Sequence, residues 1–561
     1  MRKTTINFII LFPILLLISG SLFFKDNNNS NSINYQKSLV GKENTEEIKN
    51  SIPVEFFTLD NSAASIKKIE KYVEDATTLI LNTDKLTKFF NSPTNELILT
   101  IPINQRKNIE LELYKSEVLS EDFNLYSLSK QRIRTKISYK PGLHYRGRIK
   151  GNSNSIASIS IFNNKIIGII SDDNGNYILG ENRNYTDRKN YIFYNDNNLK
   201  IKSNFKCGTG DGVDKFYKSA DYIHKKIKKP DDTFPNLPVK MYFECDYDMY
   251  EEFYYSISEV ADFVTSFFNV SIFIYQNESI PFTIQTIEVW TEPDPYIYYD
   301  NSVDILLAFG GTLEDNFEGN LAHLLSTGHN QELGGIAWVG VLCQEFNNLD
   351  SSGRFAFSNI EPYYNNFPTY SWTVGCVTHE IGHNLGSMHT HACWWPLPNY
   401  TIGALDSCYY PEFGFCFTYP HASIGTIMSY CHLWIGYGGG INFNLGFGQL
   451  PGDTIRRYYL NAGCLIKELN SSEIPTFFLS QNYPNPFNPI TTIKYSIPED
   501  NFVTIKVYDI NGKEIRTILN EFKMAGFYTI TFDASGLSSG VYFYSIYSGK
   551  YTETKRMVLL K

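Results

Sequence analysis

The sequence predicts an α/β domain, a mixed twisted sheet with a histidine-bearing helix, preceded by a mostly β region and followed by a small β-sandwich. Three observations predict it. From about residue 236 apolar runs read as strand, helix, strand, which demands a parallel crossover and hence an α/β sheet. From about 51 to 205 short alternating runs are broken by turns such as Asp172-Asp173-Asn174-Gly175. After about 475 alternation returns, with Val503, Ile505 and Val507 on one face and Thr504, Lys506 and Tyr508 on the other. Asn511-Gly512 then signals a hairpin turn.

At 561 residues the chain exceeds one ordinary domain, and its 43% hydrophobic share supports packed cores. A formal net charge of -10, with no basic cluster beyond a short lysine run, argues against a nucleic-acid partner. The chain opens with Arg2 and Lys3, an apolar run from Phe8 to Ile18, then Ser19, Gly20 and Ser21. That pattern reads as a signal peptide over 1–21, since a spanning helix needs ~20 apolar residues. No later segment is expected to cross a bilayer. Residues 22–50, rich in Asn, Ser, Lys and Glu, read as an unstructured lead-in.

Lys225, Lys226, Lys228, Lys229 and Pro230 mark a linker, either a solvated loop or a processing site, so a boundary is expected between 229 and 230. Beyond it Val239 to Phe243 reads as a strand. Phe253, Ile257, Val260, Val264 and Phe268 recur at spacings of three and four, as on an amphipathic helix. Strands are expected at Phe282 to Trp290 and at Val303 to Phe309, with further apolar runs at Leu321 to Leu325 and Gly335 to Val341. The nine cysteines, Cys207, Cys245, Cys343, Cys376, Cys393, Cys408, Cys416, Cys431 and Cys464, all lie centrally, which in an exported protein implies disulfides stapling one domain.

The chemistry is carried by Thr378-His379-Glu380-Ile381-Gly382-His383-Asn384-Leu385-Gly386-Ser387-Met388-His389. On a helix His379 and His383 project from one face and can hold one zinc ion. Glu380 is placed to reach water on that ion. Gly386 permits the left-handed backbone that ends the helix and brings in His389 as third ligand. Three imidazoles leave a fourth tetrahedral position open, the mark of a catalytic site. Val374, Val377, Ile381 and Leu385 form an apolar stripe for the core.

With Gly425-Thr426-Ile427-Met428-Ser429-Tyr430 downstream, this long motif resembles the metzincin metallopeptidases, and His383-Asn384-Leu385-Gly386 is most similar to their reprolysin (adamalysin) branch. The resemblance implies that Met428 forms the methionine turn beneath the metal. Two features depart from reprolysins: Thr390 and His391 follow the third histidine, and Tyr430 stands where astacins, serralysins and pappalysins have a tyrosine, so it is read either as a buried, hydrogen-bonded core residue or as an auxiliary group for the oxyanion. The family likeness further implies a substrate-aligning edge strand at Leu321 to Leu325 and the nearby Gly334 to Val341. His323 is expected to be a strand residue.

The segment His144 to Gly151, followed by Ser153 to Ser160, resembles an adamalysin prodomain. Lys206-Cys207-Gly208 resembles a cysteine switch, in which a thiolate takes the fourth zinc position. Setting Cys207 aside leaves eight cysteines, enough for four disulfides; the other reading pairs Cys207 and leaves another thiol over. Asn482 to Pro489, Val507 to Gly512, Leu537 to Tyr542 and the Lys555 to Lys561 ending resemble a type A sorting domain of the type IX (Por) secretion system.

The expected organisation is therefore a signal peptide at 1–21, a propeptide at 22–229, a metalloprotease domain at 230–470 and a sorting domain at 475–561. The expected product is a zinc metalloendopeptidase made as a zymogen, secreted or held at the bacterial surface, with polypeptide substrates and the type IX machinery as partners. A calcium ion is compatible with the sequence but has no legible ligand set. The alternative is a non-catalytic surface adhesin on the same scaffold.

Overall fold

The computed structural model describes residues 53–185, 187–201, 207–208, 237–328, 334–397, 402–420, 422, 424–433, 440–465, 477–482, 485–499, 501–523 and 526–560. The expected signal peptide, the expected lead-in and the Lys225 to Pro230 stretch lie outside the described residues.

Nine strands between Phe57 and Asn195 form one antiparallel sheet, and its curl lets Val54 bridge Leu99 of the far edge strand. Leu79, Leu99, Leu111, Tyr145, Ile159 and Phe193 fill its interior. Asp173 and Asn174 make the expected turn, between strands Ile166–Asp172 and Gly175–Glu181.

The central sheet has seven strands, in the order Gly335–Ala337, Phe355–Asn359, Leu321–Ser326, Val239–Cys245, Phe282–Trp290, Leu119–Ser129 and Ile133–Lys136. Gly335–Ala337 and the terminal Ile133–Lys136 run antiparallel to their neighbours; the other pairs are parallel, so the sheet is mixed. Its last two strands come from the N-terminal region, a long-range pairing that no local pattern could announce.

Helix Ile257–Gln276 makes the crossover between Val239–Cys245 and Phe282–Trp290, with Ser256 accepting from the Glu259 N–H at its start. It is apolar nearly all round. By length and composition Ile257–Asn277 could cross a membrane, which corrects the expectation that no later segment could, yet most of it is buried within the protein.

The expected strand at Val303 to Phe309 is instead part of a helix, Ser302–Leu313. Asn301 caps it by accepting from the Asp304 N–H, and Ile305, Leu306, Phe309 and Leu313 bury one side. A short apolar run fits either element, and the cap decides.

Leu321 to Leu325 is not an edge. It lies between Val239–Cys245 and Phe355–Asn359 and is buried on both faces, as parallel interior strands are. On this side of the sheet the edge strand is Gly335–Ala337.

Three disulfides form, Cys343–Cys464, Cys393–Cys416 and Cys408–Cys431, where eight cysteines had suggested four. Cys245 and Cys376 sit in the hydrophobic core as thiols, and burial pushes both pKa values up.

In the C-terminal unit, Phe478–Leu479, Ile490–Ile497 and Gly526–Asp533 form one sheet. Asn501–Tyr508, Glu514–Lys523, Gly540–Ser548 and Tyr551–Leu559 form another. Both feed one core, where Val503, Ile505 and Val507 are fully buried as their alternation predicts. Gly512, at φ 76°, turns the chain between Asn501–Tyr508 and Glu514–Lys523.

Candidate metal centre

The motif helix is Tyr370–Asn384, and Val374, Val377, Ile381 and Leu385 face the core. Asn384 fastens it to the sheet by donating through Nδ2 to the Trp338 and Phe355 carbonyls at 2.9 and 3.0 Å. Gly386, at φ 85°, ends the helix. Its N–H donates to His383 O at 2.7 Å, and the Ser387 N–H to Gly382 O at 3.0 Å. This paired Schellman closure reverses the chain and delivers His389 to the face that carries His379 and His383.

The three imidazoles are each aimed from behind. Nδ1 of His379 meets Ile427 O at 2.8 Å, Nδ1 of His383 meets Ser387 O at 2.7 Å, and Nδ1 of His389 meets Glu412 Oε1 at 2.8 Å. All three Nε2 atoms therefore point at one spot, separated by 3.2, 3.1 and 3.1 Å. Tetrahedral zinc with Zn–N of 2.0–2.1 Å needs N···N of about 3.3 Å, so the donors fit. Burial drives the His379 pKa well down and that of His383 to about 3, favouring the neutral rings that metal binding requires.

Glu380 is fully buried, which pushes its carboxyl pKa up. Among the described residues its Oε1 has no hydrogen-bond partner, while Oε2 accepts from Cys207 Sγ at 3.3 Å. An orphaned carboxylate oxygen beside a three-imidazole cluster suits a metal and its water. Cys207 Sγ completes the group: it and the three histidine donor atoms lie within 4.8 Å of one another.

The Cys207 backbone is clamped by Tyr430, whose hydroxyl accepts from Cys207 N–H and donates to Cys207 O, both at 2.9 Å. Gly208 N–H donates to Gly335 O of the edge strand at 2.7 Å. Met428 is buried beneath the helix, and its carbonyl receives Thr390 N–H at 3.0 Å, so one turn supports both His379 and the segment after His389. His323 stands apart as a strand residue with Nε2 2.8 Å from Ser358 Oγ, and burial lowers its pKa to about 3.

Sequence reasoning missed Glu412, because it lies 23 positions beyond His389 across a disulfide-bonded loop. Its Oε1 also meets His391 Nε2 at 3.2 Å, and the His391 ring stacks on His389 with centroids 4.9 Å apart. Partners behind metal-binding histidines typically contribute about 10–100-fold in affinity. Glu412→Ala is therefore expected to weaken zinc binding by about that factor, measured by competition with a chelator.

Gly382 lies between His379 and His383 on the motif helix. A Cβ there would sit 2.7 Å from Met428 Sδ and 3.1 Å from Phe447 Cε1, so the Met428 side chain would have to shift within a packed core. Gly382→Ala is expected to destabilise the protein by about 1–3 kcal/mol through overpacking, visible as a lowered melting temperature.

Residues 238–433 match the reprolysin-type profile of metallo-peptidase family M12, and residues 481–560 match the secretion system C-terminal sorting domain. The chain carries a reprolysin-type M12 metallopeptidase domain and a Por secretion sorting domain. This metallopeptidase is 24% identical to snake venom metalloproteinase H5 of Deinagkistrodon acutus over 302 residues, 51% of the chain and 71% of the relative. Among solved structures, metalloproteinase-II from Bacteroides fragilis aligns at TM-score 0.29 with 14% identity, covering 58% of the chain and 92% of that protein. Dimeric latent PorU from Porphyromonas gingivalis aligns at TM-score 0.13 with 17% identity, covering 15% of the chain and 9% of that protein. The metallopeptidase is a zinc metalloendopeptidase, and its sorting domain directs export to the cell surface or extracellular space.

Proposed function

We propose that this enzyme is made as a latent zymogen and cleaves internal peptide bonds, with His379, His383 and His389 holding zinc and Glu380 as general base. The convergence of three Nε2 atoms beside the orphaned Glu380 Oε1 carries the reading. The division into signal peptide 1–21, propeptide 22–229, catalytic domain 230–470 and β-sandwich sorting domain 475–561, read by the type IX machinery, belongs to the same proposal.

When bound, zinc lowers the pKa of its water to about 7 and polarises the scissile carbonyl. Glu380 takes the proton from the attacking water and returns it to the departing amine nitrogen. Met428 braces the ligand helix from below, against Gly382. The Gly335–Ala337 edge aligns an extended substrate by backbone pairing, a use supported by the Gly208–Gly335 hydrogen bond of the chain itself. Such pairing suits internal sites in polypeptides.

Latency comes from Cys207. Its sulfur lies at the histidine cluster and its backbone at the edge strand, so the segment blocks both metal and substrate groove. Once the segment leaves, the Tyr430 hydroxyl is available to the oxygen of the scissile carbonyl.

The test is to cut the precursor, measure bound zinc and follow digestion of a denatured protein with and without a chelator. Chelator-sensitive internal cleavage is expected. A zinc-loaded, cut protein that digests nothing would instead favour the binding-protein alternative.

A further inference from the structure

The N-terminal region does more than reach the metal centre. Its strands Leu119–Ser129 and Ile133–Lys136 form the edge of the central sheet opposite Gly335–Ala337, with Leu119–Ser129 running parallel to Phe282–Trp290. Gln131 and Arg132 in the connecting turn both have left-handed backbones, at φ 61° and 56°. A non-glycine residue adopts that conformation at a cost, so surrounding contacts must hold it there.

Those contacts are ionic and buried. Arg132 makes a two-pronged pair with Glu244, at 2.9 Å from Nη1 and 2.8 Å from Nη2, and Arg134 Nε lies 2.6 Å from Glu288. The two carboxylates are 0% and 2% exposed at the side chain, on neighbouring interior strands of the catalytic sheet. The single Tyr242 hydroxyl lies 2.9 Å from Glu244 Oε2 and 2.7 Å from Glu288 Oε2 and can donate to one of them at a time. With the hairpin gone, two buried acids would face each other without a cation, an expensive arrangement.

A second anchor comes from the His144 to Gly151 segment. Arg146 is buried and donates to Asn269 Oδ1 at 2.8 Å and Gln276 Oε1 at 3.0 Å, both on the catalytic helix Ile257–Gln276. The apolar packing is also shared: Leu125 and Ile192 belong to the same continuous core as Phe243, Val264 and Ile287.

We propose that the N-terminal region up to residue 201 is a permanent subunit of the enzyme. After a cut in the 209–236 stretch it stays docked through the 119–136 hairpin and Arg146, and only the Cys207 segment leaves the metal centre. This rests on the zymogen reading for its biological setting, but the association is measurable without it.

The experiment replaces residues 225–230 of the full chain with a specific protease site, cuts to completion, and applies size-exclusion chromatography with zinc analysis of each peak. Both fragments are expected in one peak at physiological salt, parting only in denaturant. The Arg132→Ala/Arg134→Ala form, cut in the same way, is expected to part at lower urea. A folded catalytic fragment eluting alone overturns the proposal, as does an unchanged urea dependence in the double variant. Co-elution without zinc supports the association and counts against the peptidase reading alone; separation with zinc retained does the reverse.

Discussion

Replacing Glu380 with alanine is expected to lower kcat/KM of the cut enzyme by about 10³–10⁴, while zinc content stays at one ion per chain. The loss corresponds to about 4–5.5 kcal/mol of transition-state stabilisation. The two readouts separate because the metal-facing atoms belong to other residues. His379, His383 and His389 are oriented by Ile427 O, Ser387 O and Glu412, none of which touches the Glu380 carboxylate. Glu380→Gln should behave alike, since an amide of the same shape cannot accept and return the proton. Metal analysis beside cleavage of a fluorogenic peptide tests this, and undiminished turnover in either variant would falsify the general-base role.

The parts of this site that were legible in the sequence are those fixed by local geometry. Helical spacing puts His379 and His383 on one face, and a left-handed Gly386 turns His389 toward them; both follow from backbone rules acting over a few residues. The alternation of Val503, Ile505 and Val507 is local in the same sense. What escaped is long-range. Glu412 reaches His389 because the intervening loop folds back, with Cys393–Cys416 spanning it. The sheet partner of Phe282–Trp290 comes from Leu119–Ser129, more than 150 residues earlier. Leu321 to Leu325 looked like an edge because burial on both faces is decided by neighbours that the strand itself does not encode. Val303 to Phe309 failed for another reason: six apolar residues interrupted only by Asp304 satisfy strand and helix equally, and the Asn301 cap lay just outside the run.

Substitution of Cys207 by alanine is expected to raise peptide cleavage by the uncut precursor by about 10–100-fold, without reaching the rate of the cut enzyme. On the proposed latency, a thiolate–metal bond worth ~2.8 kcal/mol to the closed state would suppress the open population about 100-fold, and alanine would remove it together with the Cys207 Sγ contact to Glu380. The backbone clamps survive, because Tyr430 holds the Cys207 N–H and carbonyl rather than its side chain, and Gly208 keeps its hydrogen bond to Gly335. Residual inhibition in the variant therefore measures what the strand-like occupation of the edge contributes. Tyr430→Phe in the same background releases one clamp and should raise precursor activity further, provided that zinc analysis shows the site still loaded. A cobalt-substituted precursor supplies a readout independent of turnover: the wild type should show sulfur-to-metal charge-transfer absorption, and Cys207→Ala should lose it. If the spectrum is identical in both forms, the sulfur is not a ligand and latency rests on the backbone of the segment alone.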